Sequence, residues 1–338
     1  MRGWNQIIYD PVQKKVLMWM AVSGCGDPWS NALWAYDTAT STFERKTWTG
    51  SGELVDGNCA KPTFIANAKN HPGDRHPYHQ MTYDTTRGRL WIYGGVADNG
   101  KCDGSGPGNC DYVDTWYYDS KTNTWACTDT GGGCNNRESK MTNPGHRVEG
   151  AMQYDAANDV IILFGSLKSG NPTDDTWQFS PAENKWARVA TQGSPSIREA
   201  DSIVYDSADR KLVMFGGSGV MNHKMVRFLN DIWIYDAARR KWSNPEPADP
   251  PPGARFPPMA YDSKRNLVVY YQAPGSVWAY SVSENRWTRL NVKGGPAIEV
   301  PAGPSMAYDV STDTFVLVYK QVWQLKLLPS PATSESPH

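Results

Sequence analysis

The stretch from Ser202 to Trp242, SIVYDSADRKLVMFGGSGVMNHKMVRFLNDIWIYDAARRKW, contains one complete structural unit. It opens with an apolar run ending in Tyr205-Asp206 and turns through a short polar segment. It continues as Leu212-Val213-Met214-Phe215 and stops at Gly216-Gly217. After a longer excursion it resumes as Asp231-Ile232-Trp233-Ile234-Tyr235-Asp236, and a second short turn leads to Trp242. Short runs rich in Val, Ile, Tyr and Trp, bounded by Gly, Asn and Asp, are strands. Four of them in succession predict one small antiparallel sheet.

Outward from this unit the pattern recurs. The leading Trp returns as Trp34, Trp116, Trp177, Trp278 and Trp323. A second large aromatic follows nine residues later as Phe43, Trp125, Trp186, Trp242 and Trp287; at the sixth place stands Ala332. The Tyr-Asp pair returns as Tyr9-Asp10, Tyr83-Asp84, Tyr154-Asp155, Tyr261-Asp262 and Tyr308-Asp309. A long-period repeat decides architecture before local propensity is weighed. A small sheet cannot bury both faces alone, so the sheets must pack radially on one another, with the Trp pair filling the space between them. Most aromatic residues therefore already have a structural role.

The order of aromatic run, Gly-Gly, Trp-x-Tyr-Asp and Trp resembles the kelch repeat over roughly residues 4 to 325. The resemblance implies an all-β chain: a six-bladed kelch-type β-propeller, as in the galactose oxidase propeller, with four-stranded antiparallel blades. Residues 1–328 would form this single domain, and the Pro/Ser/Thr-rich 329–338 a disordered tail. The sixth unit departs, because Leu325-Lys326-Leu327-Leu328-Pro329 follows Trp323 with no fourth strand. Met1 to Trp4 are too few to supply one. Either the last blade is three-stranded or residues upstream of Met1 complete it, and the second reading is preferred.

The net charge of −1 argues against nucleic acid or an acidic membrane surface as partner. No run of 18 apolar residues is present, so no spanning helix is expected, and no signal peptide is visible at Met1-Arg2-Gly3-Trp4. All six Cys lie between Cys25 and Cys134 in Gly/Asn/Asp-rich loops, which points to disulfides. Loop proximity selects Cys102–Cys110 and Cys127–Cys134, leaving Cys25–Cys59, among the fifteen connectivities that six Cys allow. No Cys-x2-Cys pair occurs, so no metal is expected. Disulfides place the protein in an oxidising compartment, secreted or periplasmic. A monomer without cofactor is expected.

The two ends of the sheets read differently. Links between strands one and two, and three and four, are short and uniform. The others vary widely, as in 48–78, 96–114 and 219–230, and long loops on a rigid scaffold usually carry function. His71, His76, His79, His146 and His223 fall on that loop-rich face. So do Arg2, Arg75, Arg147, Arg198 and Arg255, each seven to nine residues before its Tyr-Asp Asp. Similar arginines in kelch repeats lie near the mouth of the central channel, so the resemblance implies an incomplete ring of guanidinium donors suited to an anion. Glu149, Glu199, Asp201 and Glu299 share these segments and would pair with some of them.

The expected function is a binding module taking a protein or an anionic glycan at this mouth through Arg75, His79, Arg147, Glu149, Arg198, Asp201 and Arg255. The alternative is a polysaccharide lyase acting by β-elimination on a uronate-containing glycan. Tyr78, His79 and His146 are then the candidate bases and Arg75 the charge neutraliser. A copper radical site of the galactose oxidase type needs two Tyr, two His and a Cys cross-linked to Tyr. Tyr78-His79 is the only Tyr-His dipeptide, and the Cys are better read as disulfides. No phosphate loop, dinucleotide fingerprint, zinc-protease helix or nucleophile elbow is present.

Overall fold

The computed structural model describes residues 6–19, 32–47, 54–55, 58–59, 71–73, 75–96, 112–128, 134, 142–168, 171–221, 224–296, 304–319 and 321–327. Among them the chain is all strand and turn, so no helix is long and apolar enough to cross a membrane. Sheet one contains Ile7–Asp10, Lys15–Trp19, Leu33–Asp37 and Thr42–Thr47; sheet two contains Met81–Asp84, Arg89–Tyr93, Thr115–Asp119 and Thr124–Thr128. Sheet three contains Ala151–Asp155, Val160–Phe164, Thr176–Ser180 and Lys185–Val189; sheet four contains Ser202–Asp206, Lys211–Phe215, Ile232–Asp236 and Lys241–Ser243. Sheet five contains Met259–Asp262, Leu267–Gln272, Ser276–Ser281 and Arg286–Leu290. Sheet six has three strands among the described residues, Ser305–Asp309, Thr314–Tyr319 and Gln321–Leu325. All pairings in these six sheets are antiparallel between neighbours in sequence.

The Tyr-Asp pair closes the short turns by two separate bonds. Each Asp is buried, and its Oδ1 accepts from the backbone N–H groups two and three residues ahead: Thr86 and Arg87 for Asp84, Ala208 and Asp209 for Asp206. This is an Asx turn, which offers the chain a preformed reversal. Each Tyr hydroxyl instead reaches the turn of the preceding sheet. Tyr83 donates to Asp10 at 2.6 Å, Tyr205 accepts from Ala157 N, and Tyr261 accepts from Ala208 N. The motif thus fixes both the hairpin and the spacing between sheets.

The cores lie between sheets. Leu17, Trp19, Leu90 and Trp116 join sheets one and two, and Trp91, Tyr93, Ile161 and Leu163 join two and three. Ile162, Phe164, Leu212 and Met214 join three and four; Val213, Phe215, Val268 and Tyr270 join four and five; Val269, Tyr271, Phe315 and Leu317 join five and six. Ile7, Val16, Met18, Val316 and Val318 join the last sheet to the first, where Ile7 N also donates to Ser305 Oγ at 2.9 Å. Every second strand is buried on both faces, which is why those runs are continuously apolar rather than alternating.

Gly216 and Gly217 have φ of +72° and +91°, and a Cβ on Gly217 would lie 2.7 Å from Glu199 O. Only glycine meets both demands cheaply. A hairpin grows from this corner: Ser218–Met221 pairs with Arg198–Glu199 on one side and Lys224–Phe228 on the other. Cys127 is bonded to Cys134. The expected Cys25–Cys59 and Cys102–Cys110 pairings, Arg2, His223, Glu299 and the tail 329–338 lie outside the described residues.

Candidate functional site at the loop-rich rim

Three of the expected arginines occur in one repeated arrangement. Arg75, Arg147 and Arg198 are buried, with side chains fully out of solvent. Each forms a two-pronged ion pair with the Asp two residues before a leading Trp: Asp114, Asp175 and Asp231, with nearest distances of 2.6, 2.6 and 2.7 Å. Each also donates to the carbonyl of the glycine ending the second strand, Gly94, Gly165 or Gly216, at 3.0 to 3.1 Å. Nε reaches a carbonyl two or three residues upstream, Gly73, Pro144 or Ser196. The carboxylate is finished by the indole N–H of Trp116, Trp177 or Trp233. Against the cost of burial, the bonds from Arg147 hold Asp175 down to about 2, and those from Arg198 hold Asp231 below the usual carboxylate range.

These guanidinium groups tie the first, second and third strands of one sheet together. That corrects the expectation of an anion-seeking ring at Arg75, Arg147 and Arg198: their donors are spent on carboxylates and carbonyls inside the protein. For these three arginines the acidic partners are not the expected Glu149, Glu199 or Asp201. Asp114, Asp175 and Asp231 do this work, and the signal for them was present as Asp-x-Trp in units two, three and four. Sheet five has Ser276 at that position.

Arg255 behaves differently, in keeping with that change. Its side chain is 29% exposed, and its guanidinium bonds Glu149 from sheet three's leading segment and lies 3.4 Å from Glu199 of sheet four's. Two carboxylates with little exposure share one cation. Burial pushes Glu149 up to about 7 despite Arg255, and it raises Glu199 as well. Asp201 is wholly buried, with no side-chain hydrogen bond to either carboxylate oxygen among the described residues, and burial pushes it up to about 7.

The backbone explains how these side chains converge. Tyr78, Glu149, Ala200 and Phe256 each stand six positions before the Asp of their Tyr-Asp pair, and their φ values are 53°, 62°, 56° and 49°. Phe256 N donates to Ala200 O at 2.6 Å, and Ala200 N donates to Glu149 O at 2.7 Å. Equivalent residues of sheets three, four and five therefore form a continuous hydrogen-bonded arc.

An apolar plug lies beside this arc. Tyr78 and Phe256 stack with ring centroids 5.5 Å apart and interplanar angle 8°, packed with Ala200, Val96 and Val148. His76 sits 3.8 Å from the Tyr78 ring, and His79 5.0 Å from Phe256. His79 Nδ1 lies 3.0 Å from Ser202 Oγ, which donates to Pro257 O. Residues of sheet two thus meet those of sheets four and five. Burial pushes His79 down to about 4 and His76 to about 3, so both are neutral at pH 7.

Of the expected catalytic set, Tyr78 and His79 lie in the plug, each less than a tenth exposed; Arg75 faces Asp114, with its guanidinium carbon 3.9 Å from the Tyr112 ring centroid. His146 is half-buried next to Arg147. Phe256 and Ser202, which the sequence reading passed over, are what hold His79. A separate cleft of about 460 Å³ lies along sheet three, lined by Asp174, Asp175, Arg188, Val189, Thr191 and Ser194.

Comparison with known proteins fits these repeats. The chain is 27% identical over 101 residues to the Rho GTPase-activating protein gacHH of Dictyostelium discoideum, a match covering 29% of this chain and 6% of that one. It is 25% identical over 162 residues to the flagellar outer-arm dynein alpha chain of Chlamydomonas reinhardtii, covering 43% of this chain and 4% of that one. The matches thus span only a small fraction of these curated relatives' lengths. The KLHDC2/KLHL20/DRC7 Kelch-repeats domain matches residues 134–316. With its Gly-Gly corners, paired aromatics and recurrent Tyr-Asp turns, the chain belongs to this kelch-repeat family.

Proposed function

We propose that this chain is a protein-binding kelch module whose six sheets are the blades of a closed six-bladed ring, and that it engages its partner at the loop-rich rim. The shared core of the first and last sheets supports ring closure. The observation that carries the binding site is Arg255, the one rim arginine among the described four that is not locked in an Asp-x-Trp triad. Its partly exposed side chain sets the guanidinium beside Glu149, Glu199 and the Phe256 ring of the plug. A partner that covers this cluster desolvates a cation and two carboxyl groups at once, which makes the contact selective for complementary groups. The Cys127–Cys134 bond supports an oxidising location, secreted or periplasmic.

The test is partner capture by the intact protein, by Arg255→Glu, and by Lys121→Glu, which lies in an exposed turn at the opposite end of sheet two. The proposal expects recovered proteins to be lost with Arg255→Glu and kept with Lys121→Glu. Equal recovery by all three, with equal thermal stability, refutes the rim as the site.

A further inference from the structure

Arg147 and Arg198 each meet one carboxylate among the described residues, but Arg255 meets two, bonding Glu149 and lying 3.4 Å from Glu199. With both carboxyl groups ionised, this cluster is one positive charge short among the described residues. The titratable groups of the adjoining segments do not supply it. His76 and His79 of sheet two's leading segment are neutral at pH 7, and the cation next to Asp201 is Arg198, which Asp231 already holds.

A second, independent sign lies on the strand beside Glu199. Glu199 and Ser218 stand directly opposite one another in their antiparallel ladder, so their side chains share a face. Ser218 is wholly out of solvent, and its Oγ has no hydrogen-bond partner among the described residues. A buried hydroxyl is normally paired, so this one marks a missing partner. Both carboxyl groups are recessed, with side chains 10% and 9% exposed, so a cation reaches them only on a slim stem. Lysine offers a compact ammonium with three donors on a flexible four-carbon stem. A guanidinium is a planar fork that suits one carboxylate rather than three separate acceptors. An anion would meet Arg255 but lie against two carboxyl groups.

On the reading that this rim is where the partner lands, we propose that Glu149, Glu199 and Ser218 receive the ε-ammonium of a lysine on the partner protein, one donor to each. Arg255 is the tie that holds the two carboxyl groups side by side. Arg255→Glu removes that tie, so the loss of partner expected of it follows from the rim reading with or without the lysine. The lysine needs a test of its own.

That test uses the 338-residue protein with carbon-13-labelled glutamate carboxyl groups, followed by NMR, and Nα-acetyl-lysine methylamide as the probe. Saturable millimolar binding is expected, with the Glu149 signal moving to its ionised position. Burial holds Glu149 near 7 and its proton must leave, so binding should be about tenfold weaker at pH 6 than at pH 8. The norleucine counterpart, which keeps the stem without the cation, should not bind. The arginine counterpart, and glycine methylamide with its stemless ammonium, should each bind at least about tenfold more weakly. Glu149→Gln and Ser218→Ala should each weaken lysine binding at least about tenfold. Four results overturn the proposal: no saturable shift with the lysine probe, equal binding at pH 6 and pH 8, binding that ignores both substitutions, or equal binding of glycine methylamide, which makes a chain terminus the ligand. Capture that depends on Arg255 while the lysine probe fails removes the lysine and leaves the rim as the site. Lysine binding alongside capture that ignores Arg255 removes the rim, and the partner's lysine with it.

Discussion

Ile232→Thr should repair a defect that the repeat itself exposes. Outer-strand indoles donate to the preceding sheet: Trp186 Nε1 to Thr115 Oγ1 at 2.9 Å, and Trp242 Nε1 to Thr176 Oγ1 at 3.0 Å. Sheet four carries Ile232 at that position, and Trp287 Nε1 is buried without a hydrogen-bond partner among the described residues. An unpaired buried donor costs about 1–3 kcal/mol. Ile232 is 1% exposed, so losing one methyl group costs about 0.5–1.5 kcal/mol, the expected penalty of Ile232→Val. Val and Thr have the same shape, so their comparison isolates the hydroxyl. In an ordinary core Thr is worse than Val by about 1–3 kcal/mol. Here Ile232→Thr should be more stable than Ile232→Val by about 1 kcal/mol, the net worth of one hydrogen bond. Urea unfolding of both variants, repeated with Trp287→Phe, measures it. In that background the advantage should vanish. A Thr variant at least 1 kcal/mol less stable than the Val variant, or the same difference with and without Trp287, refutes the reasoning.

Asp114→Asn leaves Arg75 buried without its counter-charge and should cost about 3–5 kcal/mol in the same urea assay. Asp201 has a folded-state pKa of about 7, above its ordinary 3.8, so the folded state binds its proton more tightly. The stability this contributes is complete below about pH 4 and is lost as pH rises through 7, with a slope of up to about 1.4 kcal/mol per pH unit. Asp201→Asn should flatten that slope and unfold at higher temperature than the parent at pH 8; unchanged slopes refute it. Alkylation of the denatured, unreduced protein followed by peptide mapping should find Cys127 and Cys134 linked.

The sheets were legible because each is written out locally: Tyr-Asp, Gly-Gly and the Trp pair lie within one unit and recur. The Cys127–Cys134 bond was legible for the same reason, as a short excursion between two Cys. The arginines were expected to hold an anion, whereas Arg75, Arg147 and Arg198 hold Asp114, Asp175 and Asp231. The acids nearest in sequence, Glu149, Glu199 and Asp201, suggested local pairing, whereas the partners Asp114, Asp175 and Asp231 lie 39, 28 and 33 residues away. Only the two intervening strands bring them together. Arg255 was grouped with the others because its segment resembles theirs, and the telling difference, Ser276 in place of Asp, stands on another strand. The plug was invisible because the stacking of Tyr78 on Phe256 joins non-neighbouring sheets.

Tyr78, Glu149, Ala200 and Phe256 share one left-handed backbone conformation, and none of them is glycine. For non-glycine residues that conformation costs of order 1 kcal/mol each. Because the main chain makes the same demand whatever the side chain, the four positions are interchangeable sockets. Phenol, carboxylate, methyl and phenyl already occupy them, so one backbone shape carries four different side-chain chemistries in equivalent places.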